Sequence, residues 1–234
     1  MTLRTSAALA LVVALAGAPA AGAKIRTFGS KLEARASAVA AHHTDTVYWH
    51  GKVSRHGRAK APATGQVLAI KIKGTALSSH QPTDPARGGE TMIHFQTLEP
   101  LPGGQMRVKV TSGQFFLPTR DAGSQTVTTF RPENMCIAKG ESVGVNSVGG
   151  YWPDSYPNGT PLRIFGKVRK AKYRWFEGAG MTGNGGVFGS TKVKKRELLM
   201  QMRLGTGGDA TINCPGGSKR TSRRTGAPLA RLGW

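Results

Sequence analysis

The sequence predicts an all-β fold, an antiparallel β-sandwich of jelly-roll type with about 8–10 strands, and three observations carry that prediction. Apolar residues recur with a period of two in many short runs. Turn signals such as Pro102-Gly103-Gly104 and Pro157-Asn158-Gly159 separate those runs. No stretch of useful length carries helical periodicity, which leaves a sandwich as the way to bury alternating strands.

The 234-residue chain opens with Arg4, an apolar run from Ala7 to Ala16 and the small-residue site Ala21-Gly22-Ala23. This pattern reads as a secretory signal peptide over residues 1–23. The apolar run is too short to span a bilayer core of ~30 Å as a helix. A secreted, extracellular or cell-wall-associated protein is expected, with no transmembrane segment. Residues 24–45 are Ala-rich and basic with weak helical spacing at Leu32, Ala36, Val39 and Ala40, and are expected as a loosely held N-terminal leader segment.

From Thr46 the period becomes two, and residues 46–214 are expected as the β-sandwich domain. Leu68, Ile70 and Ile72 alternate with Val67, Ala69, Lys71 and Lys73, and Met106, Val108 and Val110 alternate with Arg107 and Lys109. Further strands are expected in VYWHGKV, TMIHFQTL, QFFLP, QTVTTF, MCI, SVGVN and PLRIFGKV. ELLMQMRLG favours helix by composition, but Leu198, Met200, Met202 and Leu204 are spaced by two, so a single strand is expected. Residues 169–196 read as a long, glycine-rich basic surface loop. Residues 215–234 are basic with no acid, and are expected as a disordered tail.

The succession APATGQVLAIKIKGTAL, IHFQTL, TSGQFFLP, TFRPENMCIAKGESVGVN, FGKV and ELLMQMRLGTG resembles small secreted β-sandwich proteins of actinomycetes, similar to galactose-binding-like domains. The resemblance spans roughly residues 27–214 and departs at Glu141-Ser142, where related sequences tend to read Asp-Tyr. It implies a fold and a location, and no activity.

Two cysteines remain in an exported chain, so Cys136 and Cys214 are expected to form a disulfide. The charge is extreme: 33 Lys plus Arg against 12 Asp plus Glu gives +21. Loss of Arg4 with the leader would leave +20. Any polyanion is attracted to such a surface.

Several motifs invite chemistry. Gly140-Glu141-Ser142-Val143-Gly144 fits the G-x-S-x-G nucleophile elbow, which requires a following helix and a later histidine. Neither is present: β and turn residues follow, and the last histidine is His94. A hairpin is expected instead, with Met135–Ile137 entering, a turn at Gly140, and Ser142–Asn146 returning. Gly178-Ala179-Gly180-Met181-Thr182-Gly183 imitates a dinucleotide-binding loop without its strand and helix. His42, His43, Asp45, His50 and His56 crowd the front of the domain and read as incidental surface histidines, with no metal expected. No clustered acids suit calcium, and no cofactor is expected.

Two surfaces suit binding. Tyr151, Trp152 and Tyr156 share a loop with Asp154 and Asn158, a composition that suits a sugar ring. Lys167, Arg169, Lys170, Lys172 and Arg174, with Lys219, Arg220, Arg223 and Arg224 of the tail, suit a polyanion. With no nucleic-acid motif, an anionic cell-wall polymer or glycan is the expected partner of a monomeric, non-catalytic binding module, and no specific nucleic acid is expected. The alternatives are an extracellular glycan hydrolase pairing Asp154 with Glu133 or Glu141, and a purely structural surface protein.

Overall fold

Period-two burial runs through the chain in a computed structural model that describes residues 24–43, 45–54, 57–77, 91–119, 123–150, 161–178, 183–207 and 214. The strands are β1 (Lys24–Gly29), β2 (Ala38–Ala40), β3 (Thr46–Lys52), β4 (Gly65–Lys73), β5 (Thr75–Ala76), β6 (Thr91–Pro100), β7 (Met106–Thr111) and β8 (Phe115–Leu117). They continue with β9 (Val127–Phe130), β10 (Cys136–Ile137), β11 (Ser142–Gly150), β12 (Leu162–Glu177), β13 (Val187–Phe188), β14 (Thr191–Leu198) and β15 (Met200–Thr206). The all-β antiparallel sandwich is as expected, but several of the strands are only two or three residues long, so the described residues hold 15 rather than 8–10.

A five-stranded sheet runs β1-β15-β4-β10, with β9 also on β4. A ten-stranded sheet runs β13-β7-β6-β11-β3-β12-β14, with β2 and β5 on β12 and β8 on β6. Between them Phe28, Val67, Ile70, Ile72, Ile93, Phe95, Val143, Val145, Phe165, Met200 and Met202 form the main core. Aromatic edges fill it, with Phe95, Phe115 and Phe130 within about 5.5 Å of one another.

Four expectations change. Residues 24–45 are not a loose leader: β1 pairs with β15 from Lys24 to Gly29 and delivers Phe28, 2% exposed, to the core. ELLMQMRLG is two strands, because β14 ends at Leu198 in the large sheet and β15 begins at Met200 in the small one. Leu199 makes that crossing with its N–H on the Ile164 carbonyl and its own carbonyl taking the Lys73 N–H, so the corner loses no backbone pairing. The loop expected at 169–196 is largely strand. β12 continues to Glu177 and β14 starts at Thr191, because Tyr173 and Val193 in that stretch still alternate inward. Finally, Val67 rather than Leu68 faces the core of β4. A bulge opposite Arg203 and Leu204 leaves Leu68 as the extra residue, which shifts the alternation by one.

The disulfide forms between Cys136 and Cys214, with Cα atoms 5.4 Å apart and a sequence separation of 78. Loop closure of that length contributes up to about 4 to 5 kcal/mol in the chain-entropy treatment.

Candidate polyanion-binding surface

The elbow-like motif resolves first. β10 belongs to the small sheet and pairs with β4, whereas β11 belongs to the large sheet between β3 and β6. Residues 138–141 are therefore a corner between sheets and not the turn of a hairpin. Gly140 takes φ 91°, a left-handed conformation that disfavours side chains. The Ala61 backbone clasps the corner from outside, its carbonyl accepting from Gly140 N–H and its N–H donating to the Glu141 carbonyl. The Glu141 carboxylate accepts from the Ala138 N–H at 2.8 Å, inside the same corner. Ser142 is 2% exposed, and the histidine on the adjacent strand, His94, stands opposite Asn146. Four residues of strand, about 13 Å, separate that position from Ser142. Glu141 is thus committed to its own turn, and Ser142 is part of a wall.

The histidines divide into two environments. His42 and His43 are adjacent in sequence, yet both turn to Glu177, at 3.5 and 3.3 Å. His42 also stacks on Trp175 with ring centroids 3.7 Å apart. Burial lowers its pKa, against the opposing pull of Glu177. Among the described residues no group of three His, Cys, Asp or Glu side chains is placed to hold a metal ion. His50 is not a surface histidine: it is 3% exposed, and its Nε2 lies 2.8 Å from the Met200 carbonyl across the sandwich. Burial pushes its pKa down to about 4, and its Nδ1 has no hydrogen-bond partner. His56 lies outside the described residues.

The outward face of β3, β12 and β14 is where charge collects. In register, Lys172 stands opposite Lys52 on one side and Lys194 on the other, a row of three ammonium groups across three strands. Arg174 stands opposite Lys192, and Lys167 opposite Arg196. Like charges directly opposite each other on a sheet destabilise it. The ion pairs formed between described residues lie elsewhere, at Glu99 with Arg107 and Lys109 and at Glu177 with the histidines.

Local sequence explains how the row forms. Gly51 leaves room on β3: a Cβ there would stand 3.1 Å from Lys172 Cγ and 3.3 Å from Arg174 Cγ. The two aliphatic stems therefore lie over the strand and carry their charged heads outward. Between Lys167 and Lys172 the register with β14 slips by several residues, and Lys195 opposite takes φ 60°. That irregularity pushes Arg169 and Lys170 out of the ladder and leaves a hollow of about 490 Å³ lined by Lys167, Arg169, Lys194, Lys195 and Arg196. Arg196 is not free there, since its guanidinium donates to the Val39 carbonyl and also bonds the Tyr173 hydroxyl. Arg174 is steadied by Ser190.

The structure therefore brings together Lys167, Arg169, Lys170, Lys172 and Arg174, and adds Lys52, Lys192, Lys194 and Lys195 to them. The sequence reading missed Lys52 because its position depends on β3 pairing with β12. It missed the lysines of β14 because their place beside those of β12 depends on the pairing of β12 with β14. Tyr151, Trp152, Asp154, Tyr156 and Asn158, and Lys219, Arg220, Arg223 and Arg224, lie outside the described residues. Among the described residues no helix is long and apolar enough to cross a membrane. No protein-family model, no curated protein and no solved structure matches the chain.

Proposed function

We propose that this protein is an extracellular, non-catalytic binding module for an anionic cell-envelope polymer or glycan, held along the outward face of β3, β12 and β14. The observation that carries the reading is the Lys52–Lys172–Lys194 row, in which like charges are aligned by strand register and none of the three forms an ion pair with a described carboxylate. An arrangement that costs the free protein stability is rational where a ligand supplies the missing negative charge. The disulfide supports an oxidising compartment, and the leader-like N-terminus supports export.

The reading as a hydrolase has less support. Of the acids considered for it, Glu141 is bound to its own turn, Glu133 is exposed, and Asp154 lies outside the described residues.

Retention of the protein on purified wall polymer, titrated with salt, tests the proposal. Each cation that neutralises a polymer charge contributes roughly 0.7 to 0.9 to the slope of log affinity against log salt, by analogy with nucleic acids. The Lys172→Glu/Lys194→Glu double variant should reduce affinity by about tenfold or more and flatten the slope. Trp152→Ala tests in parallel whether the aromatic stretch expected from sequence contributes selectivity. Absence of retention on any anionic polymer at low salt, or a double variant that binds like the parent, sinks the proposal.

A further inference from the structure

The charged face does not end at the edge of β3. Beyond it residues 51–54 and 57–62 lie beside the Lys139-Gly140 corner and, with Lys170, line an open cleft of about 770 Å³. That is the size of a site for a small molecule or a short segment of a polymer. Its shape is fixed by backbone: the clasp between Ala61 and the corner holds one wall, and a Cβ on Gly57 would stand 2.4 Å from Val53 Cγ2, so only glycine closes that turn. Apolar lining comes from Val53, Ala59, Ala61 and Pro62, and cations come from Lys52, Arg58, Lys60, Lys139 and Lys170. Lys52 and Lys170 belong to both places, because Lys52 stands in the row with Lys172 and Lys170 lies two residues before it on β12.

Charge decides what can enter. The chain's own residues 215–234 carry Lys219, Arg220, Arg223, Arg224 and Arg231 with no acid, so the tail is repelled by the cleft. A second copy at +20 or +21 is repelled as well. Among the described residues no aromatic side chain lines the cleft to stack a planar base. An anionic bilayer is a flat surface, whereas the cleft is a concavity joined to the row through Lys52, which a flexible polymer chain can occupy together with the row.

On that basis, and resting on the binding function proposed above, we infer that the cleft is the specificity subsite of the polymer-binding face. It takes one saturated sugar or polyol unit carrying a phosphate or carboxylate. The C–H face of the unit packs on Val53, Ala59, Ala61 and Pro62, and its anion meets Lys60, Lys139 or Arg58. Neighbouring anions of the same polymer run over Lys52 and Lys170 to Lys172 and Lys194. The row reads charge, and the cleft reads what lies between the charges.

Three probes separate the sources of binding: a glycosylated polyol-phosphate polymer, inorganic polyphosphate of matched charge, and vesicles of phosphatidylglycerol. At about 0.3 M salt, where the row is strongly screened, the protein should hold the glycosylated polymer about tenfold more tightly than polyphosphate. Ala59→Trp fills the cleft without changing charge and should erase that preference while leaving polyphosphate binding intact. Lys60→Gln with Lys139→Gln, two exposed side chains, should reduce the preference and serves if the tryptophan variant does not fold. No preference in the parent, or a preference that survives both variants, overturns the inference and leaves the row's function standing. Loss of vesicle binding alone in Ala59→Trp assigns the cleft to lipid and overturns it too. No binding to any probe at low salt removes the binding function itself.

Discussion

Along β3 and β12 the same outward face changes character within a few residues. Around Trp49 and Phe176 it is apolar and covered: Val47, Trp49, Leu98, Met106, Val108 and Phe188 form a second core outside the sandwich, and Phe176 stacks on Phe188 at 4.7 Å. From Gly51 and Arg174 onward it is cationic, and among the described residues the second core does not extend over it. The boundary falls at the pair Trp49 and Arg174, which are register partners. Where the face is apolar, the segment carrying β13 can fold over it and gain from doing so. Where it is cationic, a chain with 12 acids and 33 bases has little of its own to place there. One half of the face is completed by folding, and the other half is where we propose that the polymer binds.

Breaking the covered half should cost most. Trp49 is 2% exposed and meets Phe188 edge-on at 5.7 Å. Trp49→Ala removes its packing and leaves a cavity, so a loss of about 3 to 5 kcal/mol in denaturant unfolding is expected. A loss under about 1 kcal/mol would show that the second core contributes little.

A second large effect comes from beneath the boundary, where His50 faces the main core. At pH 7 its imidazole is neutral in both folded and unfolded chains. As pH falls below 6.5 the unfolded chain binds a proton that the folded chain refuses until about pH 4. Stability from this site therefore falls across that window and levels off below it, by on the order of 3 kcal/mol in total. His50→Gln should flatten that part of a stability curve measured by denaturant melts at stepped pH. An unchanged curve would show that His50 is charged or hydrated when folded.

Legibility in the sequence differed between these same regions. The alternation at Met200, Met202 and Leu204 overrides a composition that favours helix, because all three side chains are buried in the main core. The cysteine pair was plain because only two were present. What the sequence hid was register. A bulge at Leu68 and a sheet change at Leu199 each move residues to another face while leaving the local alternation looking intact. The Lys52–Lys172–Lys194 row was invisible for the same reason, since its members lie far apart in sequence and meet only through strand pairing. The glycines of residues 178–190 suggested one long loop. Tyr173 and Val193 outweighed them, because an apolar pair on a shared face stabilises a ladder that glycine-rich flanks do not prevent.

The GESVG corner borders the cleft beside the cationic half and predicts a smaller effect. Glu141→Gln keeps the shape of the side chain but replaces a charged acceptor for the Ala138 N–H with a neutral one. A loss of about 1 kcal/mol is expected. Ser142→Ala should leave ligand retention unchanged, and a loss of retention there would reopen the serine as a functional group.

The smallest effect on stability is the most telling about the open half. Lys172→Glu places a carboxylate between Lys52 and Lys194, turning two like-charge contacts into two attractive ones. At low salt the variant should be more stable than the parent by about 0.5 to 1 kcal/mol, since exposed cross-strand charge pairs contribute roughly 0.2 to 1 kcal/mol each. The gain should shrink as salt rises and the contacts are screened. The same substitution should weaken retention on anionic polymer, because a negative charge now stands in the middle of the path. Opposite signs in the two measurements would mean that the row is held against its own repulsion for a ligand's sake. If Lys172→Glu lowers stability, the row is part of the fold's own packing, and the contrast between the covered and open halves of this face disappears.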